Sequence, residues 1–226
     1  MSRLRSQAGF TVVEVLVAST ILALVSAGAM GFVQVLLRQS RGVVERTDAM
    51  QRGRIALDQM TRSLRAQVCL NEDTEGLVVA KADEVTFYAD YSDGTRPPER
   101  RTLKFDSAAP GRLTETTVVG TGPLTGPISF TSPPRTRILL TGAKRDGTTA
   151  VFQYFKYGTG TPRLPDQLLT PPPTGLLPTD LGDVARVRLT FQAGGFRDAK
   201  FATRLEDDVL LRNTDPNAAR PDPTCR

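Results

Sequence analysis

From Phe10 to Leu37 the chain is apolar, carries one charge at Glu14, and contains no proline. As a helix this run rises about 1.5 Å per residue and exceeds the roughly 30 Å hydrocarbon core of a bilayer. That makes it a membrane-length rod at the N-terminus, and everything else must be arranged after it. The chain has 226 residues, enough for one ordinary domain plus such a segment, or for two small domains. With 39% hydrophobic and 6% aromatic residues and no Trp, the core is modest in size. Glu14 is the anomaly, because a carboxylate near the centre of a spanning helix costs about 2.5–3.5 kcal/mol and so needs a partner. One reading is a permanent transmembrane helix. A second is a removable signal peptide: Arg3 and Arg5 form its basic start, Val15 to Val25 its apolar core, and Ala27-Gly28-Ala29 a small-residue cleavage site. Against the second, Glu14 falls in the apolar part, and apolar character continues from Gly31 to Leu37.

A third reading accounts for the awkward residues. The stretch Gly9-Phe10-Thr11-Val12-Val13-Glu14 follows a short basic leader, Met1 to Gly9, and opens directly into the apolar helix. It resembles the processing site of the type IV prepilin and pseudopilin family. The resemblance covers residues 9 to about 40 and implies cleavage between Gly9 and Phe10 by a prepilin peptidase on the cytoplasmic face. It also implies N-methylation of Phe10. Phe10 and Glu14 stand four residues apart and share one helical face. In the family this glutamate pairs with the N-terminal amine of a neighbouring subunit, so the resemblance assigns Glu14 to assembly. The apolar stripe then becomes filament core. A stray acid at a helix start, favoured by the helix dipole, is the plainer alternative.

The family topology puts the N-terminus inside and the rest outside the cytoplasmic membrane. The positive-inside count pulls the other way, with Arg38, Arg41, Arg46, Arg52 and Arg54 after the apolar run against Arg3 and Arg5 before it. The helix is expected to continue to about residue 70. Met50, Leu57, Met60, Leu64 and Val68 recur at helical spacing between Arg52, Arg54, Asp58, Arg62 and Arg65, an amphipathic stripe suited to packing on a folded domain. Gly28, Gly31, Gly42 and Gly53 are its weak points, Gly31 and Gly42 foremost. Where many major pilins carry a helix-breaking proline, this chain has Gly31.

After Asn71 the texture becomes that of short strands bounded by Gly, Pro and Asp. Candidates are Glu84 to Tyr91, Arg100 to Phe105, Arg112 to Val119, Arg137 to Leu140, Ala150 to Tyr157, Val184 to Phe191 and Lys200 to Leu211. Asp93-Gly94 and Asp146-Gly147 are turn signals, and the second predicts a hairpin between Arg137–Leu140 and Ala150–Tyr157. Residues 158–182 hold six prolines, among them Pro171-Pro172-Pro173, and read as a long proline-rich excursion. The expected fold is α+β: a long N-terminal helix, membrane-spanning over about 10–37, whose later part packs on an antiparallel β-sheet domain covering 71–226.

The two cysteines, Cys69 and Cys225, stand far apart with no metal-ligand spacing. In a chain outside the cytoplasm a disulfide between them is one reading, and two unrelated buried thiols the other. A bridge would tie the C-terminal tail to the end of the helix. This layout is similar to the larger minor pilins of type IV pili and to the corresponding pseudopilins of type II secretion.

The sequence contains no histidine, which excludes His-based relays and His-ligated metals. No nucleophile elbow, phosphate-binding loop or dinucleotide fingerprint is present. The acidic clusters Glu72-Asp73-Glu75, Asp90 with Asp93, and Glu206-Asp207-Asp208 lack the spacing of a calcium loop. The excess of 29 Lys+Arg over 24 Asp+Glu is small and interleaved, so Arg100-Arg101, Arg135 with Arg137, and Lys144-Arg145 make only a weak DNA-contact signal. The expectation is a structural, non-enzymatic subunit without metal or cofactor. Its partners would be prepilin peptidase, other pilin-like subunits met through the N-terminal helix, and the cytoplasmic membrane. DNA is the remote further partner. The rival class is a membrane-anchored binding module with a mimic of the leader.

Overall fold

A single helix, α1, runs from Val12 to Arg65. The computed structural model describes residues 11–70, 76–92, 95–108, 110–123, 127–160, 163–194 and 202–211, with the backbone alone for Arg41. Contacts divide the chain into two units, Met1–Val44 and Glu45–Arg226, and α1 contributes to both. The helix ends five residues short of the expected position because the sheet captures the backbone that follows. Gln67 bridges Ala89, the Val68 N–H donates to the Tyr88 carbonyl (2.9 Å), and the Asp90 N–H donates to the Ala66 carbonyl (3.0 Å). Val68, expected in the helical stripe, therefore lies past the helix and against a strand.

Within the second unit, α1 buries Ala49, Ala56, Leu57, Met60 and Leu64, while Ile55 stays exposed. Asp58, Arg62 and Arg65 are exposed as well. The three- and four-residue spacing of the buried set is the amphipathic period read from the sequence. Met50, also expected there, is half-buried. Gly53 belongs to the buried face for a reason the sequence hides. A Cβ on it would lie 2.4 Å from Leu205 Cδ1 and 2.7 Å from Ala193 Cβ, so the missing side chain lets helix and strands approach.

Among the described residues the strands that follow are β1 (Leu77–Ala80), β2 (Glu84–Ala89), β3 (Glu99–Asp106), β4 (Arg112–Val119), β5 (Arg135–Thr141), β6 (Ala143–Lys144), β7 (Phe152–Lys156), β8 (Gln167–Leu169), β9 (Arg186–Ala193) and β10 (Thr203–Leu210). A short helix α2, Pro178–Leu181, precedes β9. They form not one sheet but two. The first is an antiparallel meander in the order β1-β2-β3-β4-β5. The second has the order β10-β9-β7-β8, with β6 also pairing β9. Alternation sets their buried faces: Val85, Phe87 and Ala89 on β2, Leu103 and Phe105 on β3, and Val187, Leu189, Phe191 and Ala193 on β9. These residues, with Met60 and Leu64 of α1, form one core.

The hairpin predicted at Asp146-Gly147 is not formed. The turn exists, with Gly147 at φ +60, but β5 pairs with β4, whereas β6 and β7 both pair with β9. The chain changes sheets earlier, at Gly142 (φ +84). Its N–H donates to Gly111 O (2.8 Å) and its carbonyl accepts from Gly194 N–H (3.1 Å). Glycine is the residue that tolerates this backbone conformation. Short-range turn chemistry predicted partners that the longer-range corner overruled.

The turn joining β1 to β2 ties the two sheets together. The Phe152 N–H donates to Ala82 O (3.0 Å) and the Phe105 N–H to Asp83 O (2.8 Å). The buried Tyr154 hydroxyl donates to Lys81 O at 2.9 Å and lies 3.3 Å from Glu84 O. The proline-rich excursion holds structure of its own. It contains β8 and α2, and the Leu176 N–H donates to Ala80 O (2.9 Å), fastening the segment to β1.

Candidate functional site

Gly9 and Phe10 lie outside the described residues. Thr11 begins them, and its Oγ1 accepts the Glu14 N–H at 3.3 Å. Thr11 is thus the N-cap of α1 and Glu14 sits in the first turn, where the dipole favours an anion. Thr-Val-Val-Glu also has the spacing of a capping box, a local signal for where the helix starts. The described geometry therefore gives Glu14 a local role in addition to any role between subunits.

Along the apolar run every described side chain is exposed, for example Val12 at 82%, Leu24 at 74% and Phe32 at 65%. The most apolar window of α1 has a mean hydropathy of 2.1 and none of it is buried in the chain itself. Apolar area of this kind stabilises by about 25 cal/mol per Å² when removed from water, so the segment needs lipid or protein around it. The helix stays continuous through Gly28, Gly31 and Gly42. A Cβ on Gly28 or Gly31 would meet nothing within 4 Å. Gly28 and Gly31 carry no packing role within the chain, unlike Gly53.

Cys69 follows the helix, and no described cysteine is free. Cys225 lies outside the described residues. The strand β10 runs beside α1 in the same direction: Leu205 touches the Gly53 position, and Thr61 Oγ1 donates to Asp207 Oδ2 at 2.9 Å. β10 ends at Leu210, three residues beyond the Asp207 that meets Thr61 of α1.

The sequence reading missed the polar centre of the domain. Glu115 on β4 has only 1% of its side chain exposed, yet it is ionisable. It accepts from Ser63 Oγ of α1 (2.9 Å), from Arg101 Nη1 of β3 (2.7 Å) and from Arg137 Nε of β5 (2.5 Å). Arg101 in turn donates to Glu99 (2.6 Å) and stacks over the Tyr91 ring at 4.2 Å. Burial pushes the Glu115 carboxyl up, but Arg101, Ser63 and Arg137 together outweigh it and hold the group below the ordinary carboxylate range. One carboxylate thus joins the last turns of α1 to three adjacent strands. The signal was present in the parity of β4, where Glu115 alternates with Leu113 on the inward face.

A second network lies on β9 and β10. Asp208 accepts from Arg188 Nε (2.8 Å) and Arg186 Nη1 (3.2 Å), and Glu206 pairs with Arg188 at 3.4 Å. Both arginines cover the Phe155 ring, at 4.1 and 5.3 Å. Thus the acidic triplet Glu206-Asp207-Asp208 is occupied by arginines and Thr61. Asp90 caps its own turn through the Ser92 N–H (2.7 Å). Glu72, Asp73, Glu75 and Asp93 lie outside the described residues. Among the described residues no group of three His, Cys, Asp or Glu side chains is placed to hold a metal ion. Of the basic pairs considered for DNA, Arg101 and Arg137 engage Glu115, Arg145 pairs with Asp83, and Arg100 lies over Phe130 at 5.5 Å.

A long, exposed apolar N-terminal helix followed by antiparallel sheets is a pilin-like α+β architecture. Residues 4–30 match the family model described as the prokaryotic N-terminal methylation motif. The match includes the leader from Leu4 onward, the Gly9-Phe10 junction and Glu14, and it supports a precursor of the type IV pilin and pseudopilin family. It implies processing by prepilin peptidase and assembly with pilin-like subunits in the membrane. No significant match was found among curated proteins or among solved structures.

Proposed function

We propose that this chain is a minor pilin or pseudopilin, a non-enzymatic subunit that primes, caps or joins a type IV pilus-like filament. The methylation motif over residues 4–30 is the observation that carries this reading. Prepilin peptidase would cut between Gly9 and Phe10, and Phe10 would be N-methylated. The new amine lies one helical turn from Glu14, close enough in depth for the Glu14 of one subunit to meet the amine of the next. Thr11, as N-cap, holds the helix start so that this carboxylate stands at a defined height. The globular domain lies outside the cytoplasm, against the plain arginine count. The exposed apolar side chains from Val12 to Leu37 are buried first by lipid and then by neighbouring helices.

Export would also suit a Cys69–Cys225 disulfide. It is supported by the absence of a free cysteine among the described residues. By chain-entropy arguments such a long closed loop contributes about 4–5 kcal/mol. The minor-pilin and type II secretion readings share all these features, and both predict the same mature N-terminus. The test is the intact mass of the protein purified from its native membrane. The expected mass is that of residues 10–226 plus one methyl group. Cleavage after Ala29, or an unprocessed chain, refutes the proposal.

A further inference from the structure

We infer that Glu115 is an acid-released latch between α1 and the first sheet. The apolar face of the helix enters a core shared by both sheets, but its side-chain polar attachments to the two differ. Towards β9 and β10 it packs directly, with Gly53 against Leu205 and Ala193, and adds the hydrogen bond from Thr61 to Asp207. Towards β3, β4 and β5 its polar attachment is the buried carboxylate. α1 faces that carboxylate with Ser63, β3 with Arg101 and Glu99, β5 with Arg137, and the segment after β2 with Tyr91. Protonation removes the negative charge and leaves the Arg101 guanidinium, whose side chain is 15% exposed, with Glu99 as its remaining carboxylate partner. A buried ion cluster that loses one member is left with an uncompensated charge, so the strands it joined lose their hold.

The sign follows from linkage. Glu115 titrates below its unfolded value, so its contribution is complete above the ordinary carboxylate range and disappears as pH falls through the folded value. The direct packing against β9 and β10 has no such dependence. Among the described residues Asp207 is an acid of the second sheet that meets α1, and it distinguishes the two sides experimentally.

Amide hydrogen exchange of the full chain in detergent micelles, in steps from about pH 7 to about pH 3 and corrected for intrinsic rates, reads each side separately and gives a midpoint for each. In the wild type, acid is expected to deprotect residues 99–141 and 57–65 by at least about tenfold relative to residues 186–193. Glu115→Gln is expected to show that deprotection already at neutral pH, with no further change in acid. Asp207→Asn is expected to keep the wild-type response. Ser63→Ala removes one bond that keeps the carboxylate charged, and should move the release midpoint upward. A purely structural serine would lower protection without moving the midpoint. Equal deprotection of both sheets, a pH response retained in Glu115→Gln, or an unmoved midpoint in Ser63→Ala overturns the inference. If Glu115→Gln does not fold, the Ser63→Ala midpoint decides.

Discussion

Replacing Gly53 by alanine separates local preference from tertiary packing. By helix propensity alone the substitution should stabilise, since glycine in a helix interior costs about 1 kcal/mol relative to alanine. The structure opposes this. The new methyl carbon would stand 2.4 Å from Leu205 Cδ1 and 2.7 Å from Ala193 Cβ. The first contact is the end of a side chain and can rotate away. The second is fixed to the backbone of a strand paired on both sides, by β10 and by β6, so helix or sheet must move. Overpacking of this kind costs typically about 1–3 kcal/mol. Set against the propensity gain, the net loss is up to about 2 kcal/mol. At this chain length each kcal/mol moves Tm by about 2–4 °C, so Tm should fall by up to about 8 °C in a thermal melt of the full chain in micelles followed by circular dichroism. Gly31→Ala is the internal control. Its methyl meets nothing within 4 Å, so it should hold or raise helix stability. In a Leu205→Ala background, itself destabilised by loss of a core side chain, the added cost of Gly53→Ala should shrink only in part, because Ala193 remains. A rise in Tm for Gly53→Ala comparable to that of Gly31→Ala would refute the close approach of α1 to β9 and β10.

Other perturbations test separate parts of the molecule. Glu14→Val should leave membrane insertion and peptidase cleavage intact but sharply reduce incorporation into filaments, read by fractionation of sheared filaments; normal incorporation argues against the pairing role. Tyr154→Phe removes the hydroxyl that reaches Lys81 O and should cost about 1 kcal/mol in chemical denaturation, while a neutral result means the β1–β2 turn is held by its backbone bonds alone. Arg188→Gln breaks a partly exposed pair with Asp208 and should change stability by less than about 1 kcal/mol, so a loss above about 2 kcal/mol would make that network a structural centre. Thiol labelling of denatured, unreduced protein from the native membrane should find neither Cys69 nor Cys225 reactive, and labelling of both rules out the bridge.

How much was legible depended on the range of the interaction. The apolar run, Glu14 at the helix start and the Leu57, Met60, Leu64 stripe all rest on neighbours within a turn or two, and such spacing is written directly in the chain. Strand positions were legible for the same reason, since alternation at Val85, Phe87 and Ala89 needs no partner to be recognised. β8 was invisible because Gln167–Leu169 is short, lies among prolines, and becomes a strand only through its pairing with β7. The sheet partners of β5 and β7 were not legible either. The Asp146-Gly147 turn is correct locally, but the pairing is decided at Gly142, where residues remote in sequence, Gly111 and Gly194, meet one backbone.

The sequence by itself determined the membrane-length helix, the processing motif and the identity of most strands, because each depends on periodicity or a short pattern. The tertiary structure alone decided that the strands divide into two sheets, that Gly53 is a packing residue rather than a soft spot, and that Glu115 is buried among Arg101, Arg137 and Ser63. Those three outcomes arise from groups separated by tens of residues, whose encounter is fixed by the closure of the whole core and by no local preference.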